Sequence, residues 1–210
     1  MGSVRLVLAS NSPRRQELLA VLGLPFVVRV VPVDEAERPG ETPAEMVLRL
    51  ARAKAAAVPL VDGELLIAAD TTVDLEGTVL GKPRDEGDAR RMLEAMRGRP
   101  HLVHSGIALR REGEIWSEVC STTVVMRAYS AAEVEAYIAS GGPLDKAGAY
   151  GIQDRPFSPA ERIAGCYLNV MGLPLCHLAQ GLLRWGVTPP ALPPPYCRGL
   201  LGFPCPVALF

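Results

Sequence analysis

Hydrophobic positions along the chain switch between two periods. Residues 4–9 form a short, nearly continuous apolar run, the pattern of a strand buried on both faces. Ser12 and Pro13 then predict a helix start, with serine as cap and proline at the first helical position. Leu18, Leu19 and Leu22 give that helix a core face, and Gly23 ends it. Residues 26–31 predict a second strand. Thr42-Pro43-Ala44-Glu45 is a capping box, and the helix it opens carries Val47, Leu50, Ala51 and Lys54 on one stripe. Residues 65–69 predict a short strand ending at Asp70.

Segments 71–75 and 78–80 flank Glu76-Gly77, and segments 102–110 and 115–127 flank Glu112-Gly113, so both pairs predict hairpins. Asp85 starts a helix with Ala89, Met92, Leu93 and Met96 inward. Ser130-Ala131-Ala132-Glu133 is a second capping box, before Val134, Tyr137 and Ile138. Residues 175–185 predict a last helix. Strands alternating with helices, then hairpins, predict an α/β fold with a mixed twisted sheet and flanking helices.

Composition bounds the function classes. The chain has 210 residues and a formal net charge of −1, enough for one domain with a sizeable core. Near-neutral charge argues against a general electrostatic grip on a nucleic acid polymer or an anionic membrane. No apolar run approaches the roughly 20 residues of a membrane span, and the chain enters a strand-like run too early for a signal peptide. Five cysteines (Cys120, Cys166, Cys176, Cys197 and Cys205) with no CxxC pair fit a reducing cytoplasm. Seven of the 19 prolines fall in residues 188–210, a Pro-rich tail after a domain of residues 1–187. Pro193-Pro194-Pro195-Tyr196 is expected to be extended, and Leu200, Leu201, Phe203 and Phe210 are candidates for docking on the domain or on a second subunit. Only Lys54, Lys82 and Lys146 are lysine among 22 cations, so these three mark places for a compact ammonium, or survive by chance.

Three segments carry candidate chemistry. Ser10-Asn11-Ser12-Pro13-Arg14-Arg15 follows a strand and opens a helix. Two arginines there face the positive end of the helix dipole, an arrangement that an anion would reverse. The alternative has both in solvent or paired with Glu17. Asp70-Thr71-Thr72 ends an apolar strand, where ligand crevices of α/β sheets lie. Asp70 either holds a divalent cation, acts as a base toward water, or caps the turn. Asp145-Lys146-Ala147-Gly148-Ala149-Tyr150-Gly151-Ile152-Gln153 offers charge, a stacking surface and an amide in one loop. Glu35 is a second candidate carboxylate or a solvated loop residue. His101 and His104 lack zinc spacing and are expected on strands or rims.

Together these segments resemble the Maf family of nucleoside triphosphate pyrophosphatases. The resemblance rests on 8–19 (Leu8-Ala9-Ser10 through Glu17-Leu18-Leu19), Ala69-Asp70-Thr71-Thr72-Val73, Gly81-Lys82-Pro83, the 145–153 loop and Asn169-Val170-Met171-Gly172-Leu173-Pro174-Leu175. It spans about residues 4–185. It implies two lobes around a deep cleft, as in inosine triphosphatase-like folds, and hydrolysis between the α and β phosphates with Mg²⁺ or Mn²⁺ assisting. It implies Asp70 as proton acceptor, and Glu35 with Asp70 at the metal. Arg14, Thr71 and Gln153 are implied in base specificity. Ser10, Arg15, Lys54, Lys82 and Lys146 are implied around the phosphates. Arg14, Thr71 and Gln153 resemble the branch acting on dTTP, UTP and modified pyrimidine nucleotides, not the branch acting on 7-methyl-GTP. A homodimer is implied as well. One departure follows Gln153, where relatives carry a small residue and this chain has Asp154-Arg155-Pro156-Phe157. The expected function is a cytoplasmic enzyme that sanitises the nucleotide pool. The alternatives are a nucleotide-binding regulator of cell division and septum formation, or a 7-methyl-GTP pyrophosphatase.

Overall fold

One seven-stranded mixed sheet organises the computed structural model, which describes residues 4–201. The strands are β1 (Arg5–Leu8), β2 (Phe26–Val28), β3 (Glu64–Leu75), β4 (Thr78–Leu80), β5 (Pro100–Arg111), β6 (Glu114–Met126) and β7 (Ala160–Ala164). The helices are α1 (Pro13–Ala20), α2 (Pro43–Ala57), α3 (Glu86–Met96), α4 (Ala131–Ala139), α5 (Tyr167–Val170), α6 (Leu175–Arg184) and α7 (Pro193–Leu201). The sheet runs β2-β1-β3-β5-β6-β7, with β4 also on β3. β2, β1 and β3 are parallel, and every other pairing is antiparallel.

Local chemistry sets the helix starts. Ser12, Thr42, Asp85 and Ser130 each accept a backbone N–H of their helix's first turn, and Thr42 and Ser130 complete reciprocal capping boxes with Glu45 and Glu133. The two tight hairpins hold Glu76-Gly77 and Glu112-Gly113 with all four φ values positive, the turn whose twist matches the strands it joins.

The sequence predicts two strands around Asp70, yet β3 is a single strand of 12 residues. Its polar centre is held by pairing that the local pattern does not show. Asp70 stands opposite Gly106 and Thr71 opposite Ser105 on β5. Side chains alternate across β3. Leu65, Ile67 and Ala69 join the core under α1, α5 and α6, and Leu66 and Ala68 join the one under α2. Helix α2 crosses β5 so closely that a Cβ on Gly106 would lie 2.3 Å from the Val47 carbonyl oxygen. A third core gathers α3, α4 and the far halves of β3, β5 and β6. Two further expectations change. Residues 26–31 are paired in register only over Phe26–Val28, and the sequence pattern predicts neither β7 nor α5.

The tail also differs from the expectation. Pro193-Pro194-Pro195-Tyr196 is not extended but begins α7. The first N–H groups of a helix have no partner within it, so prolines lose nothing there and bring a preset φ. Pro190 lies against Gly23, the Ala191 N–H donates to the Leu22 carbonyl, and Tyr196 and Cys197 pack on the core under α1. Phe203, Cys205 and Phe210 lie outside the described residues.

An ion pair ties the start of β3 to the chain after β2. Arg29 donates to both oxygens of the buried Glu64 carboxylate at 2.8 and 3.0 Å, and the Val61 N–H adds a bond of 3.1 Å. Together they hold the Glu64 carboxyl at about 2, against an ordinary 4.5. The folded-state value lies below the unfolded one, so this stabilisation is complete above about pH 4.5 and is lost as pH falls through about 2. Urea midpoints measured from pH 6 to pH 2 are expected to fall less steeply in Glu64→Gln, which has no such proton to take up.

Candidate functional site

The site begins where one edge of β3 loses its partners. β1 pairs with β3 only as far as Ile67, and β4 pairs from Val73 to Leu75. Between them, residues 69–72 have no strand on that edge among the described residues, although β5 continues along the other edge. β1 ends there and turns through Ser10, Asn11 and Ser12 into α1. The N-terminus of α1 and residues Asp70–Thr72 therefore face one gap, just beyond the carboxyl end of the parallel strands.

Lys54 reaches this gap from the apolar stripe of α2. Its ammonium is 2.6 Å from Asp70 Oδ1 and 2.6 Å from Glu35 Oε1. Asp70 and Lys54 are largely buried, whereas the Glu35 side chain is 60% exposed, so the trio opens to water on one side. Two carboxylates thus converge on a single point. That donor chemistry fits Mg²⁺ or Mn²⁺, which take oxygen ligands and are commonly held by one or two carboxylates plus substrate phosphates and water. No third His, Cys, Asp or Glu joins the pair among the described residues.

Arg15 braces the opposite wall. Its guanidinium donates to Ser10 Oγ (3.4 Å), Thr71 Oγ1 (3.1 Å) and the Gly172 carbonyl (2.9 Å). Burial lowers its pKa, and the charge of Asp70 opposes that shift. Thr71 Oγ1 is 2.7 Å from Ser105 Oγ and 3.3 Å from the Gly172 carbonyl, and Ser105 donates to the Asn169 carbonyl at 3.2 Å. Arg14 points across the gap to Asp145 at 3.1 Å. It pairs neither with Glu17 nor with solvent alone.

Two adjoining cavities result. The first, about 750 Å³, holds Ser10, Arg14, Arg15, Glu35, Lys54, Asp70, Thr71 and Lys82. The second, about 410 Å³, has apolar walls from Val73, Val103, Ile152 and Met171 and carries Tyr150, Lys146 and Gln153. Arg14, Arg15, Thr71 and Lys82 line both, so they form the seam. Lys82 is exposed and has no ion pair among the described residues. The Gly148 N–H donates to the Gly81 carbonyl at 3.0 Å and so ties the two lysine loops together. Gly148 has φ +67, and a Cβ there would lie 2.9 Å from Val73 Cγ2, so that loop position admits only glycine.

The structure brings ten sequence-predicted residues around one cleft but separates Lys146 from the acidic group. Lys146 is on the wall of the smaller cavity, ion-paired with Asp145 at 2.9 Å and Asp154 at 3.5 Å and donating to the Gly142 carbonyl. His101 and His104 are on β5. The His101 Nε2 meets the Tyr150 hydroxyl at 2.7 Å, and burial lowers its pKa to about 4, so it is neutral near pH 7. Ser105, Asp145, Asp154 and Gly172 were missed. Asp145 and Gly172 lie inside quoted motifs, but only the fold shows that they hold Arg14 and Arg15. Ser105 is an ordinary strand residue with no local signal.

Residues 5–185 match the family model of the Maf-like proteins. The chain is 50% identical over 186 residues to the dTTP/UTP pyrophosphatase of Anaeromyxobacter dehalogenans (strain 2CP-1), a match covering 87% of this chain and 94% of that protein. It is 47% identical over 197 residues to the dTTP/UTP pyrophosphatase of Bordetella pertussis, covering 89% and 95%. It is 46% identical over 183 residues to that of Symbiobacterium thermophilum, covering 87% and 94%.

The bracing by Arg15 needs a planar fork. Arg15→Lys keeps the charge but cannot serve three acceptors in three directions. Thermal or urea unfolding is expected to show a loss of about 2 kcal/mol, the size of a hydrogen bond to a charged group.

Proposed function

The chain belongs to the Maf-like protein family, and on that premise we propose that it is a nucleoside triphosphate pyrophosphatase. Its substrates are dTTP, UTP and modified pyrimidine triphosphates, and its products are the monophosphate and pyrophosphate. The reading carries with it a role in sanitising the nucleotide pool, a cytoplasmic location and a homodimeric state. One observation supports it above the rest: the Asp70–Lys54–Glu35 cluster opens through a cationic seam into a second cavity with apolar walls and an amide.

The division of labour follows from the two cavities. The apolar walls and Gln153 receive the base, whose flat faces need little water and whose edge needs hydrogen-bond partners. Arg14, Lys82 and the start of α1 spread positive charge along the triphosphate. Glu35 and Asp70 would hold Mg²⁺ or Mn²⁺, which when bound supplies further positive charge at the phosphate oxygens. Lys54 keeps the two carboxylates together and adds its own charge.

Asp70 takes the proton of an attacking water. The water oxygen bonds to the α-phosphorus, the bond to the α–β bridging oxygen breaks, and pyrophosphate leaves with the electron pair. Arg15 does not need to touch substrate, because its three hydrogen bonds already fix Ser10, Thr71 and the 172 carbonyl in place.

Pyrophosphate release from a panel of triphosphates with Mg²⁺ tests the assignment. Release is expected to be fastest from dTTP and UTP and slow from 7-methyl-GTP. A protein that binds these nucleotides yet releases no pyrophosphate would be a nucleotide-binding regulator instead. Asp70→Asn is expected to lower kcat by about 10²- to 10⁴-fold, the usual contribution of a positioned base, while nucleotide affinity measured by calorimetry stays within about threefold. Near-normal turnover in that variant removes Asp70 from the base role.

A further inference from the structure

The residue after Gln153 is where this sequence departs from the pattern it resembles, and the structure shows Asp154 holding the loop that carries Gln153. Residues 151–154 form a turn closed by a bond from the Asp154 N–H to the Gly151 carbonyl at 3.0 Å. A side-chain bridge closes it a second time. The Gly151 N–H donates to the Tyr137 hydroxyl at 3.1 Å, and that hydroxyl donates to Asp154 Oδ2. The carboxylate lies directly over Gly151, where a Cβ would be only 2.7 Å from Oδ2. Asp154 is in turn ion-paired with Lys146. The Tyr137 ring is stacked on Phe157, with centroids 4.3 Å apart and planes 9° apart, so α4 presents its hydroxyl from a fixed direction.

We propose that Tyr137 and Asp154 are positioning residues for base selection, clamping the 151–154 turn so that the Gln153 amide faces the base cavity at one angle. The role rests on the nucleotide reading given above. Neither side chain takes part in the chemistry at phosphorus, which belongs to the other cavity. Burial and the bond to Asp154 both raise the Tyr137 pKa, so the phenol keeps the proton it donates. Uracil and thymine differ from cytosine by reversing a donor and an acceptor on one edge, and an amide tells them apart only if it cannot turn to suit either. Tyr137 supplies that restriction from outside the cavity, through Asp154 on its wall.

The test compares dTTP with dCTP in the parent protein, Tyr137→Phe, Gln153→Ala and the double variant. Tyr137→Phe keeps the ring on Phe157 and removes only the hydroxyl. It is expected to raise KM for dTTP about tenfold, with kcat within about twofold, and to narrow the preference for dTTP by a similar factor. Added to Gln153→Ala, it is expected to change little more, because both act through one amide. Asp154→Ala removes the other end of the bridge and should reproduce the loss. Unchanged preference in Tyr137→Phe, a loss confined to kcat, or losses that multiply in the double variant would each overturn the proposal. Hydrogen exchange at the Gly151 amide gives a readout independent of turnover. If the parent hydrolyses neither triphosphate, the functional reading falls. The clamp is then judged on exchange alone, where faster exchange in Tyr137→Phe supports it and unchanged exchange overturns it.

Discussion

One long strand has to serve two different neighbours on the same edge. β3 pairs with β1 at its start and with β4 at its end, and the two partners run in opposite directions. They cannot meet, so the edge between them opens, while β5 holds the other edge in continuous register. Backbone and side-chain polar groups in such a gap need partners that no strand supplies. Asp70 and Thr71 occupy it, and α1, α2 and the 145–154 loop bring their partners. Cores lie on both faces of β3, so the strand cannot bend to close the gap. The cleft is thus a consequence of the topology, and the Asp70 carboxylate stands on a rigid element.

Charge follows the same geometry. The whole chain is within one unit of neutrality, and Arg14, Arg15, Lys54 and Lys82 share a single cavity with Glu35, Glu37, Asp70 and Asp145. Within it Lys54 is paired with Glu35 and Asp70 and Arg14 with Asp145, while Arg15 and Lys82 have no ion pair among the described residues, and charge between low-dielectric walls acts most strongly. The scarcity of lysine among the cations has a partial physical account. Lys54 must fit its charge between two carboxylates at 2.6 Å, which suits a compact ammonium better than a planar fork. Arg15 shows the reverse, one guanidinium serving three acceptors. For Lys146 the contacts are an aspartate pair and a carbonyl of its own loop, so it braces the wall of the smaller cavity.

What could be read from the sequence was local. Caps act within four residues, so Ser12, Thr42, Asp85 and Ser130 announced their helices, and Glu76-Gly77 and Glu112-Gly113 announced their hairpins. The local pattern predicts two strands where β3 is one, because its polar centre is decided by pairing with Gly106 and Ser105, more than 30 residues away. β7 has no apolar alternation to show, since most of its residues face solvent at a sheet edge. The prolines of α7 misled because their exclusion from helices does not extend to the first turn. Within the site, the charged and hydroxyl side chains that line it were legible. The residues that aim them were not, because Arg14 meets Asp145 from 131 positions away and Tyr137 meets Asp154 across a loop.

Thr71 has one further property. A hydroxyl carries a single hydrogen and two lone pairs. Arg15 can only donate, so it claims one lone pair. The hydrogen is committed inward, to Ser105 or to the 172 carbonyl. In either arrangement Thr71 has nothing left to give, and where its hydrogen goes to Ser105 one lone pair remains. Whatever meets Thr71 must therefore bring its own hydrogen. A guanidinium on the far side of a side chain has in this way given a symmetrical group a polarity.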